Sequence, residues 1–420
     1  MPASKHFQGE KRFEYSRYSV VSETFASLAV RDFRLLWIAV LFMMAMLPMM
    51  SIAQGFLAYK LTGSAKVLAL VHTGGALSLL VLAPIGGVVA DRFEKKRVLQ
   101  LVQIIFVVLS VLIAVIIILD KINWTILVLG GVAQGSAWAF AAPARQSLVS
   151  MVVPKEMMGN AIILAGFAAS ASHLVFPLVA GLIYAALGPE AVFFTVSIMA
   201  FGALIFTTML SEIPRDISKV KPRIIEDLKQ GFIFIIRHKI LRILLLSHVI
   251  ITFLSSPLQM LMPAIVVDVY NRDSDSLGLM LSLSGAGSLF GALFMAAIGS
   301  GRRGVIFLIA GICTGVTTLV VGISGSFSVA TIFMLVLGFG NVGMWSLSQA
   351  LGMANTDEEY RGRVMSVFMM SWGISSISTM PVGYMADIFG SQFILAILGS
   401  ILIGAVIFIG ATQKSLRQLE

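Results

Sequence analysis

The sequence predicts an all-α membrane protein with twelve transmembrane helices arranged in two pseudo-symmetric six-helix bundles. Two compositional observations support this: 58% of the 420 residues are hydrophobic and only 12% are charged, whereas soluble domains contain about 25% charged residues. The third observation is that the apolar residues fall into runs of about 20, the length that crosses a bilayer as a helix. Because irregular backbone cannot face lipid, each run is predicted to be helical.

Charged residues and turn residues separate the runs and set the limits of twelve predicted spans. The first six spans cover residues 35–58, 66–90, 98–119, 124–149, 161–187 and 190–210. The second six cover residues 241–266, 276–298, 304–322, 328–354, 362–388 and 391–411.

The longest polar break between spans divides the chain into its two halves. Within it, residues 224–236 carry apolar side chains at helical spacing, which predicts an amphipathic helix lying on the membrane surface. The predicted organisation is an N-terminal tail, a first bundle, a linker, a second bundle and a C-terminal tail, covering residues 1–33, 34–210, 211–240, 241–411 and 412–420.

The basic residues predict the orientation in the membrane. Alternating spans from a cytosolic N-terminus leave only four of the 30 Lys and Arg residues outside, as the positive-inside rule requires. These four are Lys60, Lys66, Lys121 and Arg272. We therefore expect both termini in the cytosol and the chain in the plasma membrane of a bacterium or archaeon. The same distribution explains the net charge of +9 without nucleic acid as a partner.

A faint internal repeat relates the two halves. Gln146 and the loop that follows it correspond to Gln349 and its loop, and Phe176-Pro177 corresponds to Met380-Pro381 at nearly the same offset. Equivalent loops and prolines in both halves predict two parallel repeats of six helices, as is common in transporters.

Four short segments resemble one protein family. Residues 86–97 read GGVVADRFEKKR after the second span, and residues 25–37 read FASLAVRDFRLLW before the first. Residues 143–146 read PARQ and residues 361–365 read RGRVM. Together, and in this order, they resemble the major facilitator superfamily, in the branch that includes the enterobactin exporter and macrolide-efflux proteins. The resemblance implies a secondary transporter that works by alternating access and exports its substrate.

Two motifs of the family's drug/proton antiporters are changed in this chain. Their fourth helix often carries Arg-x-x-Gln-Gly, but here Gly131 stands where the arginine would be, ahead of Gln134 and Gly135. Their fifth helix often carries Gly-Pro, and here Phe176 precedes Pro177. Both changes weaken the inference, drawn from the family, that this chain is a proton antiporter.

The charged loop after the second span is a candidate conformational latch. Asp91 is expected near the start of the eleventh helix when the outer side is open, where a carboxylate is favoured by roughly 0.3–1 kcal/mol. The alternative is that the basic residues only anchor the loop at the cytosolic surface. The predicted latch residues are Gly87, Asp91, Arg92, Lys96, Arg361 and Arg363.

In the family fold, the first, fourth, seventh and tenth helices line the central path. Methionine is flexible and polarisable, which suits the binding of varied apolar ligands, although the methionines of the first helix also suit plain helix packing. The predicted cavity residues are Met46, Met50, Gln54, Gln134, Trp138, Thr252, Ser256, Gln259, Asn341, Trp345 and Gln349.

The predicted spans contain no acidic residue near their centres, where proton-driven pumps usually carry one. Histidine titrates reversibly near neutral pH, so His173, His248 and His72 are the candidates for proton coupling. For each, the alternative is a neutral side chain hydrogen-bonded to a neighbouring helix.

The sparse cavity charge favours a neutral or weakly charged amphipathic substrate, such as a drug, a natural product, a siderophore or a lipid. Arg145 is placed too near the cytosolic end of the fourth span to be chosen as a ligand. We expect a monomer that uses the proton gradient as its energy source and no cofactor or metal. Cys313 is the single cysteine. Facilitated diffusion, uptake of an apolar solute and, more distantly, a membrane-embedded enzyme remain alternatives.

Overall fold

The computed structural model describes residues 25–212, 224–297 and 301–419, and these form an all-helical bundle. The first half contains α1 to α6, which are Arg31–Thr62, Ala65–Arg92, Lys95–Ile118, Trp124–Val152, Met158–Leu187 and Pro189–Thr208. The linker contains α7, Ile224–Arg237. The second half and the C-terminal tail contain α8 to α15, which are Lys239–Ala264, Ser274–Ala297, Arg303–Ile323, Phe327–Ala354, Arg361–Ser375, Thr379–Phe389, Ser391–Thr412 and Lys414–Arg417.

Eleven of the twelve predicted spans each overlap one long helix of the structure. Eleven helices within the described residues are long and apolar enough to cross a membrane. The twelfth crossing is the pair α12 and α13, joined by a 3-10 turn at Ser376–Ser378. The predicted all-α fold of twelve spans is therefore confirmed.

The break between α12 and α13 was not predicted, and its cause lies in proline and hydroxyl chemistry. Pro381 has no N–H to donate to the preceding turn. Side-chain hydroxyls bond to carbonyls of the turn that precedes it: Ser378 Oγ donates to Ser375 O at 2.7 Å, and Thr379 Oγ1 donates to Ser376 O at 2.6 Å. Such bonds allow irregular backbone at membrane depth where it is enclosed by protein.

The helices alternate in direction, so the bundle has two ends. We call the end that carries the starts of α1 and α8 the terminal face, and the end where α1 joins α2 the distal face. In the first half α2 packs against α4 and α3 against α6; the corresponding pairs in the second half are α9 with α11 and α10 with α14. The halves meet where α5 packs on α9 and α2 packs on α13, which fits the predicted pseudo-symmetry.

Small residues allow the helix pairs to approach closely, as is usual in membrane proteins. A Cβ at Gly135 of α4 would lie 2.0 Å from the carbonyl oxygen of Gly75 in α2. A Cβ at Gly338 of α11 would lie 1.8 Å from the carbonyl oxygen of Ser284 in α9. The equivalent helix pairs of both halves thus depend on glycine at their contact.

The short helix α7 lies where the sequence predicts a helical segment in the linker. It docks on the start of α12: a Cβ at Gly231 would lie 2.5 Å from Arg363 O, and the ring of Phe234 stacks on Tyr360 at 4.5 Å. Ile235 is buried, whereas Phe232 is 51% exposed. The apolar face of α7 is therefore divided between the helical bundle and the surroundings.

Candidate functional site

The distal face is closed by a carboxylate of the second half that caps a helix of the first. Asp387, two residues before the end of α13, lies at the N-terminus of α2. Its Oδ1 accepts a hydrogen bond from Ala65 N at 2.5 Å, and its Oδ2 accepts from Ser64 Oγ at 2.6 Å and Lys66 N at 3.3 Å. A negative charge at a helix N-terminus is favoured by the helix dipole.

Two further pairs join the halves at the distal face. The hydroxyl of Tyr59 donates to Asp268 Oδ2, and Lys60 Nζ lies 3.5 Å from Asp273 Oδ1. In all three contacts the second half supplies the carboxylate and the first half supplies the donors. We call Asp268, Asp273, Asp387 and their partners the distal gate.

Closer to the centre, two more contacts hold the halves together. Thr73 Oγ1 of α2 lies 2.7 Å from Thr379 Oγ1 of α13. Ser282 Oγ of α9 accepts from Leu178 N of α5 at 2.9 Å, just after the proline of α5. The cross-half contacts therefore extend from the distal face towards the middle of the bundle.

At the terminal face, the structure gives partners to part of the predicted latch. Lys96 Nζ donates to Leu210 O at 2.5 Å, and Arg361 Nε donates to Thr356 O at 3.3 Å. Arg363 lies 3.9 Å from Glu359 and over the ring of Tyr360. These partners belong to the same half as the basic residue.

The latch itself stays a prediction. The side chain of Asp91 is not among the described side chains. Arg92 is the last residue of α2. A Cβ at Gly87 would have no described atom within 4 Å. Because the latch was predicted for a state whose distal side is open, a structure closed at the distal face does not test it.

The predicted cavity residues of α1 fall into two environments. Met46 and Met50 are 0% and 2% exposed and pack in the core of the first half. Gln54 is also buried, but its Nε2 has no hydrogen-bond partner among the described residues. A Cβ at Gly130 of α4 would lie 3.4 Å from that nitrogen, so Gln54 lies where α1 meets α4.

On α4, three polar or aromatic side chains share one face. Gln134, Trp138 and Arg145 are spaced by four and seven residues, which brings them to one side of a helix with 3.6 residues per turn. Gln134 Nε2 and Arg145 Nε are both buried without a hydrogen-bond partner among the described residues. The Trp138 ring contacts Phe106 edge-on at 6.5 Å.

In the second half, the predicted cavity residues lie on α8 and α11. Thr252 Oγ1 donates to His248 O at 2.8 Å, and Ser256 Oγ donates to Ser375 O at 2.9 Å. Gln259 is exposed, whereas Asn341 and Gln349 are partly buried. Trp345 is 37% exposed.

His248 is the best-defined polar site between α8 and α11. Its side chain is 1% exposed, and its Nδ1 lies 2.9 Å from Ser348 Oγ. Ser348 Oγ also donates to Met344 O at 2.7 Å, while His248 Nε2 is buried with no hydrogen-bond partner among the described residues. The ring lies 5.9 Å from that of Trp345 and 6.3 Å from that of Phe368.

The other two predicted histidines lack such an environment. The side chains of His173 and His72 are accessible, although both lie among many protein atoms. The backbone of His173 contacts α9, because a Cβ at Gly285 would lie 2.2 Å from His173 O.

Sequence reasoning did not find Ser348, Asp273 or Tyr59. Ser348 lies four residues after Met344 on α11, and only the packing of α8 on α11 brings its hydroxyl to His248. The partners Tyr59 and Asp268 are separated by 209 residues, a distance over which no local pattern carries a signal.

Comparisons with known proteins identify the family. Residues 35–379 match the Major Facilitator Superfamily. The chain is 25% identical over 331 residues to macrolide efflux protein A of Streptococcus pyogenes, covering 77% of this chain and 80% of that protein. It is 21% identical over 344 residues to the staphyloferrin A transporter of Staphylococcus aureus, covering 80% and 85%.

Solved structures show the same fold. The nucleoside transporter NupG superposes with a TM-score of 0.75 at 12% identity, covering 91% of this chain and 99% of that one. A bacterial homologue of the human lysosomal transporter Spinster, in an inward-facing and unoccupied conformation, gives 0.69 at 15% identity, covering 94% and 96%. The paired bundles and the matching family profile establish that this chain is a multi-pass membrane transport protein, not an enzyme, and that it belongs to the Major Facilitator Superfamily.

Proposed function

We propose that this protein exports an amphipathic small molecule from the cytosol and that the proton gradient drives export through His248. Alternating access would expose one central site first to the terminal face and then to the distal face. The distribution of basic residues supports a cytosolic terminal face. The protein is proposed to act as a monomer of two six-helix bundles, at residues 34–210 and 241–411, without a cofactor.

The export direction is supported by the relatives. Macrolide efflux protein A is named for efflux, and the staphyloferrin A transporter is named for a siderophore. The sequence prediction that Trp138 and Trp345 line the path, with few charged groups, suits an amphipathic substrate.

The observation that carries the coupling proposal is the environment of His248. In the tautomer that we propose, Ser348 Oγ donates its hydrogen to Met344 O and its lone pair accepts from Nδ1–H of His248. The lone pair of Nε2 then has no partner and is the place where a proton binds. His248 lies nine residues from the start of α8, about 14 Å from the terminal face.

An uncompensated charge at membrane depth is unfavourable. Once His248 is protonated, either the helices around it must rearrange or the proton must leave. Its contacts span α8 and α11, the two helices of the second half that line the central path. Proton binding can thereby favour one arrangement of the halves over the other. The side chains of His173 and His72 are more accessible than that of His248, so we propose His248 as the proton site.

The test is efflux of fluorescent amphipathic dyes from cells and dye exchange in proteoliposomes, with and without a protonophore. His248→Gln is expected to lower efflux to the level of protonophore-treated cells while downhill exchange continues. Matched His173→Gln and His72→Gln variants are expected to retain protonophore-sensitive efflux.

Full protonophore-sensitive efflux by His248→Gln would exclude His248 as the proton carrier. If the unchanged protein only equalises dye concentrations, it is a facilitator and proton coupling is excluded. Downhill dye exchange by the His248→Gln variant would show that the variant is folded. Loss of only the protonophore-sensitive efflux would then identify His248 as the residue that couples efflux to the proton gradient.

A further inference from the structure

Arg145 is the most deeply placed charged side chain in the described helices. It lies seven residues before the end of α4, which is about 10 Å from the terminal face. The other Lys, Arg, Asp and Glu residues of the described membrane-spanning helices lie within four residues of a helix end. A permanent positive charge at this depth is rare in transmembrane helices and usually serves a function.

The guanidinium of Arg145 takes part in none of the ion pairs between described side chains. Its Nε is buried without a hydrogen-bond partner among the described residues. Two described carboxylates at the terminal face of the first half have other partners: Asp32 accepts from Ser211, and Glu94 pairs with Arg97. Guanidinium presents five N–H donors in a planar fork that matches an oxyanion.

Further unpaired donors lie near the same face of α4. Gln134 Nε2, eleven residues earlier, and Gln54 Nε2, on α1 beside Gly130, are both buried without a partner. An amide nitrogen only donates, so each requires an oxygen or another acceptor. Between Gln134 and Arg145 lies Trp138, which provides an apolar ring surface.

We propose that Arg145 binds an anionic group, a carboxylate or a phosphate, on the transported molecule, with acceptor oxygens towards Gln134 and Gln54 and an apolar part against Trp138. This rests on the proposed export function and narrows it to anionic amphipaths. The inference differs from the expectation of a neutral or weakly charged substrate, because that expectation set Arg145 aside for its place near a helix end.

The experiment compares two probes that differ by one charge, 1-pyrenebutyrate and 1-pyrenebutanol. Binding to the purified protein in detergent is followed by energy transfer from tryptophan to pyrene. The unchanged protein is expected to bind the carboxylate more tightly than the alcohol. Arg145→Gln is expected to weaken carboxylate binding about tenfold or more, the effect of losing a charged hydrogen bond, with alcohol binding unchanged.

Two variants control the test. Arg145→Lys keeps the charge but not the planar fork, so it is expected to retain part of the preference for the carboxylate. Arg242→Gln removes an exposed cation near the terminal face, whose Nη1 donates to Ile236 O, and is expected to change neither affinity. Unaltered binding of the alcohol shows that each variant is folded.

The proposal is overturned if the unchanged protein shows no preference for the carboxylate, or if Arg145→Gln weakens both probes equally. Equal weakening of both probes would mean that Arg145 supports helix packing or pairs with a carboxylate of the protein itself. Because binding is measured without a proton gradient, the result does not depend on His248 or on export direction. Competition by phosphatidylglycerol, but not by phosphatidylcholine, would identify the anion's source as a lipid headgroup, and its failure would indicate a soluble anion.

Discussion

Met46 lies in the middle of α1 with none of its surface exposed, packed among the methionines of the first half. We expect Met46→Ala to lower the free energy of unfolding by about 2–5 kcal/mol, because the cavity left in a packed core is not refilled. Met46→Leu conserves volume and is expected to cost less than about 1.5 kcal/mol. Thermal unfolding in detergent measures both.

Met353→Ala is the matched control, because Met353 is 47% exposed at the end of α11 and its truncation leaves no enclosed cavity. A loss of substrate affinity in Met46→Ala without a loss of stability would contradict the packing interpretation. It would place Met46 in the substrate cavity, as the sequence alone predicts.

Residue types on the lining helices could be predicted from sequence, but their environments could not. Gln54 and Met50 lie one helical turn apart on α1. The family resemblance predicts both as cavity residues, because the first helix lines the central path. Only the packing of α1 on α4 leaves Gln54 Nε2 unpaired while enclosing Met50. Likewise, His248 is distinguished from His173 by Ser348, a contact between helices separated by 100 residues.

At the scale of elements, the seam between α5 and α9 depends on glycine. A Cβ at Gly285 would lie 2.2 Å from His173 O, so Gly285→Ala forces the two helices apart. We expect it to lower the free energy of unfolding by about 1–3 kcal/mol, the usual effect of overpacking. Thermal unfolding in detergent provides the measurement.

Gly404→Ala is the control, since nothing lies within 4 Å of a Cβ at that position of α14. The control is expected to be neutral or slightly stabilising, because alanine is the better helix former. Equal stability of both variants would show that α5 and α9 are not held together at Gly285.

The helices themselves were predictable because hydropathy and charge mark the edge of the bilayer, and most span limits agree within a few residues. The broken eleventh crossing was not. Its sequence is apolar enough for one continuous helix, and Pro381 alone predicts a kink without its position. The 3-10 turn lies at Ser376–Ser378, where the hydroxyls of Ser378 and Thr379 bond to the carbonyls of Ser375 and Ser376.

At the scale of the whole molecule, α2 and the broken pair α12 and α13 run in opposite directions and present a carboxylate near each end. Asp387, near the end of α13, caps the start of α2 at the distal face. Asp91, one residue before the end of α2, is predicted to approach the start of α12 at the terminal face. Alternating access requires that the two caps do not form together, so loss of one favours the state held by the other.

We therefore expect Asp387→Asn to shift the protein towards a state open at the distal face. The amide keeps one acceptor oxygen but loses the charge that favours a helix N-terminus and strengthens the hydrogen bonds. Loss of about 1–2 kcal/mol would change the ratio of the two states about fivefold to thirtyfold. Spin labels at Lys121→Cys and Gly325→Cys, on exposed distal turns of the two halves, report the opening in a Cys313→Ser background.

The distance between these labels should lengthen in Asp387→Asn and stay unchanged in the control Asp120→Asn. Asp120 is an exposed distal carboxylate with a left-handed backbone, φ 53°, a conformation that asparagine tolerates. A second substitution, Asp91→Asn, should restore the shorter distance if the caps oppose each other, because it weakens the competing state. An unchanged distance in Asp387→Asn would mean that the distal gate is held by packing of α2 on α13 and α5 on α9, with the carboxylates contributing little.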